Sequence, residues 1–276
     1  MNEMDKIPLI LVFAGILLAQ IVFIEVGFRM GTVRQGKPNK AQMAQVRAIM
    51  GASLGLLAFM LAFSFNTTQQ HYEERVRAYL LEVSAIDSAF RGADLIKKDE
   101  REQAKKLLAE FAKLRVQTKE FTVAKDMDMV VELIRQSERM HDQLWAIAER
   151  SMEGEGDGED TGLFAQAVLN MIDAHDSRLQ IIFFNRVPPI IWLTLLGMAI
   201  LSMAVTGYQA GLTGTRSSFA TWTLAATFAF VMILIADLDR PTMSLFKENH
   251  QMMIELQNRM EGGEYWDVEV HRQNNQ

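Results

Sequence analysis

The chain has 276 residues and a formal net charge of −6, from 28 Lys and Arg against 34 Asp and Glu. Because the net charge is mildly negative and the sequence has no long basic run, nucleic acid is not expected as a partner. The chain has no cysteine, which excludes disulfides, thiolate metal sites and a cysteine nucleophile. Hydrophobic residues make up 49% of the chain, and many of them are concentrated in a few stretches.

Four stretches of 18 to 29 residues contain no charged residue, at 7–24, 48–70, 187–215 and 217–236. A helix needs about 20 largely apolar residues to cross the hydrocarbon of a bilayer, and each stretch reaches or approaches that length. The sequence therefore predicts an all-α integral membrane protein with four transmembrane helices. The segment before the first stretch is not net positive, so we expect a retained anchor rather than a cleaved signal peptide.

The loop at 29–47 joins the first two predicted spans and carries five basic residues and no acidic one. By the positive-inside rule this loop would face the cytoplasm. Basic residues also flank the opposite span ends, so both orientations stay open. At the end of the first span we expect Glu25 to pair with Arg29, its i+4 neighbour, or to extend toward the interface.

The sequence predicts four parts. Residues 1–70 hold spans one and two with the basic loop, and residues 71–186 form an extramembrane helical bundle inserted between spans two and three. Residues 187–240 form a transmembrane hairpin, in which the glycines of 206–215 end the third span in a short turn. Pro188 and Pro189 are expected to kink the chain where that span begins. Residues 241–276 are expected to form an amphipathic helix and a mobile tail.

Residues 71–186 show the helical period of apolar side chains in four runs, which begin near Tyr72, Asp99, Met127 and Thr161. Four amphipathic helices bury their apolar stripes most simply against one another, as a bundle. No Gly or Pro occurs from 57 to 90. The second span is therefore expected to continue out of the bilayer as one long helix.

Two histidines, His141 and His175, fall on the apolar stripes of adjacent predicted helices and are expected to face each other. As metal ligands they would need carboxylates, for which Asp142, Asp173 and Asp176 are the local candidates. We favour the alternative, hydrogen-bonded core residues, and predict no metal site. No Ser-His-Asp order, H-E-x-x-H or P-loop occurs in the sequence, so neither an enzyme nor a cofactor is expected.

The second predicted span carries a face of small residues. Gly51 and Gly55 form a G-x-x-x-G motif, and Ala58 and Ala62 extend it at helical spacing. In lipid, such a face lets another helix approach closely. We therefore predict helix packing at Gly51, Ala58 and Ala62.

Beside this face, Phe59 and Phe63 stand four residues apart, and Ser64 and Asn66 follow them. If several copies of the helix surrounded an axis, the two phenylalanines would form apolar rings that can gate a pore by dewetting. Ser64 and Asn66 would then line its wet mouth. Burial of the two aromatic rings against neighbouring helices is the alternative.

The fourth predicted span ends on Asp237, Asp239 and Arg240. Carboxylates at a helix C-terminus oppose the helix dipole, so another group must compensate them. We expect these three residues to form a structural clasp between spans rather than a catalytic pair.

The order of these motifs resembles the bestrophin-like domain family of bacterial and plant membrane proteins, which is distantly related to the bestrophin anion channels. Four stretches carry the resemblance: LLAFMLAFSFNTTQQHYEER at 56–75, EVSAIDSAFRGADL at 82–95, RVPPIIWLTLLGMAILSMAVTGYQAG at 186–211 and IADLDRP at 235–241. The R-x-P-P and DLDRP elements are the most specific of these.

The resemblance implies a homo-oligomer, a pentamer, in which the second helix lines a central pore through the lipid bilayer for small inorganic anions. By position, the pore neck would fall on Gly55, Phe59 and Phe63. It also implies a location in the bacterial inner (cytoplasmic) membrane. The alternative function is a non-conducting membrane sensor or scaffold whose bundle binds a ligand or partner.

Overall fold

The structure is a computed structural model, and it describes residues 8–33, 40–117, 127–153, 158–214, 218–240 and 251–262. Within these ranges the chain forms helices and their connections, and no strand. The helices are α1 Leu9–Val33, α2 Lys40–Gly92, α3 Lys98–Gln117, α4 Met127–Glu153, α5 Gly158–Phe184, α6 Pro189–Thr213, α7 Ser218–Asp239 and α8 Gln251–Met260.

Four helical segments are long and apolar enough to cross a membrane: Leu9–Val33, Lys40–Leu95, Gly158–Thr213 and Phe219–Asp239. They overlap the four uncharged stretches, so the prediction of four transmembrane helices is confirmed by length and composition. The prediction of one long second helix is also confirmed, because α2 runs unbroken for 53 residues. At a rise of about 1.5 Å per residue, that helix is about 80 Å long.

The chain divides into two compact units. The first, called here the span unit, comprises Met1–Tyr72 and Arg186–Leu245. The second, the bundle unit, comprises Glu73–Asn185 and Phe246–Gln276. The C-terminal helix α8 thus belongs to the bundle unit, and the tail predicted to be mobile lies, from residue 263 onward, outside the described residues.

In the span unit, α1 packs mainly against α6 and to a smaller extent against α7. The two backbones come into direct contact at glycines. A Cβ atom on Gly27 would lie 2.0 Å from the backbone oxygen of Ala204, and one on Gly207 would lie 2.0 Å from that of Ile24. Small residues that allow this approach are a common means of helix association in lipid.

Of the three glycines within 206–215 predicted to end the third span, Gly207 and Gly211 do not end it, and Gly214 does. The helix continues through Gly207 and Gly211 to Thr213, and it ends at Gly214, whose φ of 68° is left-handed. Gly211 lies against α1 beside Gly31. The close contact with α1 leaves no room for a side chain at Gly211. The backbone stays helical there because hydrocarbon would offer its N–H and C=O groups no hydrogen-bond partner outside the helix. Residue 215, the last of the stretch predicted to turn, lies outside the described residues.

Pro188 and Pro189 break the helix rather than kink it. α5 ends at Phe184, four non-helical residues follow, and α6 begins at Pro189. A proline at the first helical position costs little, because the first-turn N–H groups have no helical partner in any case.

The core of the bundle unit is built from the second part of α2 with α3, α4, α5 and α8. Its fully buried side chains include Ile86, Leu108, Phe111, Leu144, Phe164 and Met171. Met253 and Leu256 of α8 are buried in the same core. The Met253 N–H donates to the Tyr79 hydroxyl at 3.0 Å, which ties α8 to α2.

Candidate functional site

One face of α2 is uncovered by the rest of the described chain. Phe59 and Phe63 are 66% and 59% exposed, although they lie in the apolar part of the helix. A Cβ atom on Gly51 or Gly55 would meet nothing within 4 Å. Burial of the two phenylalanines against helices of the same chain, the alternative raised by the sequence, is therefore not what the structure shows.

Ala58, Ala62 and Asn66 are exposed on the same side of α2, so they share the surface of Gly55 and the two phenylalanines. Ser64 does not. It is 3% exposed and lies on the opposite side with Leu57 and Leu61. Each residue turns a helix by about 100°, and the single step from Phe63 to Ser64 leads from the open side to the packed side. The five residues predicted to line a pore thus do not lie on one surface.

The end of α7 is joined to the start of α6 by Asp239. Its Oδ1 accepts a hydrogen bond from the Val187 backbone N–H at 2.9 Å. Val187 precedes α6, so its N–H has no helical acceptor and needs one elsewhere. Beside it, Asp237 and Arg240 are 2% and 6% exposed, and the Arg240 N–H donates to the Asp237 backbone oxygen at 3.1 Å. The predicted clasp residues therefore lie together at the end of the span.

The bundle unit contains a cluster of buried polar side chains. Glu82 of α2 is fully buried, and its Oε1 lies 2.7 Å from Nδ1 of His175 on α5. Its second oxygen accepts a hydrogen bond from Arg178, also on α5. Burial alone would raise the pKa of Glu82, but the hydrogen bond with His175 and the charges of Arg178 and Arg115 lower it to about 2. Glu82 is therefore ionised at neutral pH.

The prediction that His141 and His175 face each other is confirmed, because their ring centroids lie 5.0 Å apart in an edge-to-face arrangement. Phe111 of α3 packs against both rings, with centroid distances of 5.1 Å and 5.7 Å. Each histidine has a buried Nε2 with no hydrogen-bond partner in the part of the chain described. Burial, followed by the charges of His175 and Arg115, lowers the pKa of His141 to about 4.

The carboxylate beside the histidines is not one of those expected from the sequence. Asp142, Asp173 and Asp176 are all exposed, and Glu82 takes the place proposed for them. The one signal for Glu82 is its helical spacing from Tyr79 and Ile86, which puts a charged residue on a buried stripe. Among the described residues, no group of three or more His, Cys, Asp or Glu could hold a metal ion.

Arg115 of α3 is also part of this cluster, where it contacts Ser137 of α4 and Phe111. Its Nη2 donates to Ser137 Oγ at 2.6 Å, and that hydroxyl donates to the backbone oxygen of Leu133 at 2.9 Å. The guanidinium also lies 5.2 Å from the centroid of the Phe111 ring, a cation–π geometry. α2, α3, α4 and α5 thus all contribute a polar side chain to one buried network.

These observations define an all-helical integral membrane protein with four helices able to span the bilayer. The sequence profile of the Bestrophin-like domain family matches residues 16–241, and the chain belongs to this family. Comparison with curated proteins and with solved structures gave no match.

Proposed function

We propose that this protein is an oligomeric ion channel of the bacterial inner membrane, rather than an enzyme, and that α2 lines a pore for small anions. In this proposal several chains, five by resemblance to bestrophins, surround one axis. The bundle inserted between spans two and three then lies outside the bilayer. The anion as the conducted ion rests on the family resemblance alone.

The observation that carries the proposal is the open face of α2. Exposed apolar side chains cost nothing in lipid, so Phe59 and Phe63 alone would fit a lipid-facing helix. The same face also carries Gly51, Gly55, Ala58 and Ala62, whose small side chains suit close approach of a neighbouring protein helix. Since no helix of the described chain covers this face, a second copy of α2 is the partner that we propose.

In such an assembly Phe59 and Phe63 form two successive apolar rings, one helical turn apart. A narrow apolar ring expels water, so it can hold a pore closed without a charged gate. Asn66, further along the same face, provides amide groups beyond the rings. Ser64 has no part in this pore, because its side chain lies within the protomer.

The native mass of the purified protein in detergent, measured by light scattering with the detergent contribution removed, tests the proposal. A mass near five times the 31.3 kDa chain agrees with α2 around a central axis. A monomer or dimer cannot surround an axis with α2, and this result would contradict the channel. The non-conducting sensor or scaffold would then be the better explanation of the fold.

A further inference from the structure

The buried cluster of the bundle unit has an unusual balance of charge. The groups around the histidine pair are Glu82 from α2, Arg115 from α3, His141 from α4, and His175 and Arg178 from α5. Glu82 is the acidic group that favours a charge on His141, whereas His175 and Arg115 oppose it. Among the described residues, Glu82 is thus the carboxylate that acts on His141, against the opposing charges of His175 and Arg115.

Both oxygens of that carboxylate are already in use. One lies 2.7 Å from His175 Nδ1, and the other accepts from Arg178. An ionised carboxylate only accepts hydrogen bonds, so Nδ1 of His175 carries a proton and donates it to Glu82. The cluster is satisfied with Glu82 charged and His141 uncharged.

Glu82 favours a proton on His141 by its charge alone, since both of its oxygens already contact His175 and Arg178. The His141 ring lies 5.0 Å from that of His175, and its buried Nε2 has no acceptor among the described residues. Arg115, which is already charged, opposes the new charge. A buried cation without a partner is costly, and the bundle can avoid that cost by opening and hydrating the ring.

We propose that Glu82, His175, His141 and Arg115 form an acid-sensitive latch, which holds α4 against α3 and α5 at neutral pH and loosens them when His141 takes up a proton. The ligand in this proposal is a proton, which binds to the imidazole of His141. The inference does not depend on whether the chain conducts ions, because it concerns the packing of the bundle unit alone.

The size of the effect follows from linkage. His141 in the closed bundle has its pKa lowered from 6.5 to about 4, whereas in an open bundle it returns toward 6.5. Lowering the pH from 7.5 to 5 then raises the equilibrium constant for opening roughly 30-fold. Glu82 adds little at pH 5, because its pKa of about 2 in the fold and its ordinary value of 4.5 both lie below that pH.

The absence of cysteine from the chain allows a direct test on the full-length protein in detergent. Val168→Cys places one thiol in the bundle core, at a side chain that is 0% exposed. Leu163→Cys places one on the same helix at a position that is 57% exposed, as the matched control. Each is reacted with dithiodipyridine, which modifies thiols in mild acid as well as at neutral pH. The ratio of the two rates reports opening.

We expect the ratio of the buried to the exposed rate to rise roughly 30-fold between pH 7.5 and pH 5. With His141→Gln or His141→Phe added, the ratio should stay flat over this range. His71→Gln, which removes a histidine of the span unit, should leave the rise intact. The loss with His141 and its persistence with His71 together would assign the proton to the cluster.

Three results would overturn the latch. The first is a flat ratio in the parent chain, and the second is a rise that survives both His141 substitutions. The third is loss of protection at pH 7.5 in both variants. An uncharged side chain at position 141 should keep the bundle closed, so that result would mean that His141 has a different role.

Discussion

A Cβ atom on Gly207 would lie 2.0 Å from the backbone oxygen of Ile24, so α1 and α6 meet backbone to backbone. The reverse contact, between Gly27 and Ala204, has the same distance. Any side chain at these glycines must push the helices apart. The first and third spans are therefore fastened by four glycines, two on each helix, rather than by large interlocking side chains.

Gly207→Ala is expected to destabilise the span unit by about 1–3 kcal/mol, the usual cost of overpacking, since the obstructing atoms are backbone. Gly197→Ala on the same helix is the matched control, because a Cβ atom there meets nothing within 4 Å. It should be neutral or stabilising by up to about 1 kcal/mol through helix propensity. Thermal unfolding in detergent measures both. Equal midpoints for the two variants would contradict the backbone contact between α1 and α6.

Asp239→Ala should destabilise the span unit by about 1–3 kcal/mol, since it leaves the Val187 N–H without its acceptor. Asp239→Asn retains an oxygen at the same place and should recover part of that loss. The two variants are compared by the same unfolding measurement. If Asn is as damaging as Ala, the negative charge rather than the hydrogen bond to Val187 stabilises this end of the span.

Glu82 gives the bundle unit a second, more acidic pH dependence. Its pKa is lowered from 4.5 to about 2 in the fold, so the unfolded chain binds more protons between these values. The stability from this group is therefore present above pH 4.5 and is lost as the pH falls toward 2, by about 3 kcal/mol in all. Urea unfolding of the full-length protein at a series of pH values between 5 and 2.5 measures the slope.

Glu82→Gln should remove that slope and lower the stability at pH 7 by about 3–5 kcal/mol, because Arg178 and Arg115 then lose their buried counter-charge. Glu132→Gln is the control, since the exposed ion pairs of Glu132 with Arg135 and Arg139 contribute little. A Glu82→Gln variant with the same acid slope as the parent chain would show that other carboxylates cause it.

The sequence predicts the helices well, because the presence and length of a helix follow from the local pattern of apolar residues. The unbroken run from 57 to 90 without Gly or Pro correctly indicates the long α2. The contacts between distant segments are harder to predict. Gly207 looks like a helix breaker until α1 is placed against it. Glu82 is a charged residue on an apolar stripe, and its partner is not evident until α5 brings His175 to it. Both depend on a partner more than 90 residues away.

The open face of α2 illustrates the same limit. Spacing alone places Gly55, Phe59 and Phe63 on one side, and the structure agrees. Ser64 follows Phe63 directly, and the sequence predicts it at a polar mouth, but one helical step turns its side chain into the protomer. Whether a residue is covered depends on the neighbouring helices, which a pattern within one helix does not contain.

If α2 lines a pore, Phe59→Ala and Phe63→Ala should each raise anion flux, since a smaller ring is wider and easier to wet. We expect the flux to increase about tenfold or more, which requires the barrier to fall by only about 1.4 kcal/mol. Iodide influx into proteoliposomes that contain a halide-quenched dye measures it. Phe219→Ala is the control, because Phe219 of α7 is 84% exposed and lies away from α2 in the sequence. An equal effect of all three substitutions would indicate a general disturbance of the spans, and no effect of either α2 substitution would exclude these rings as the gate.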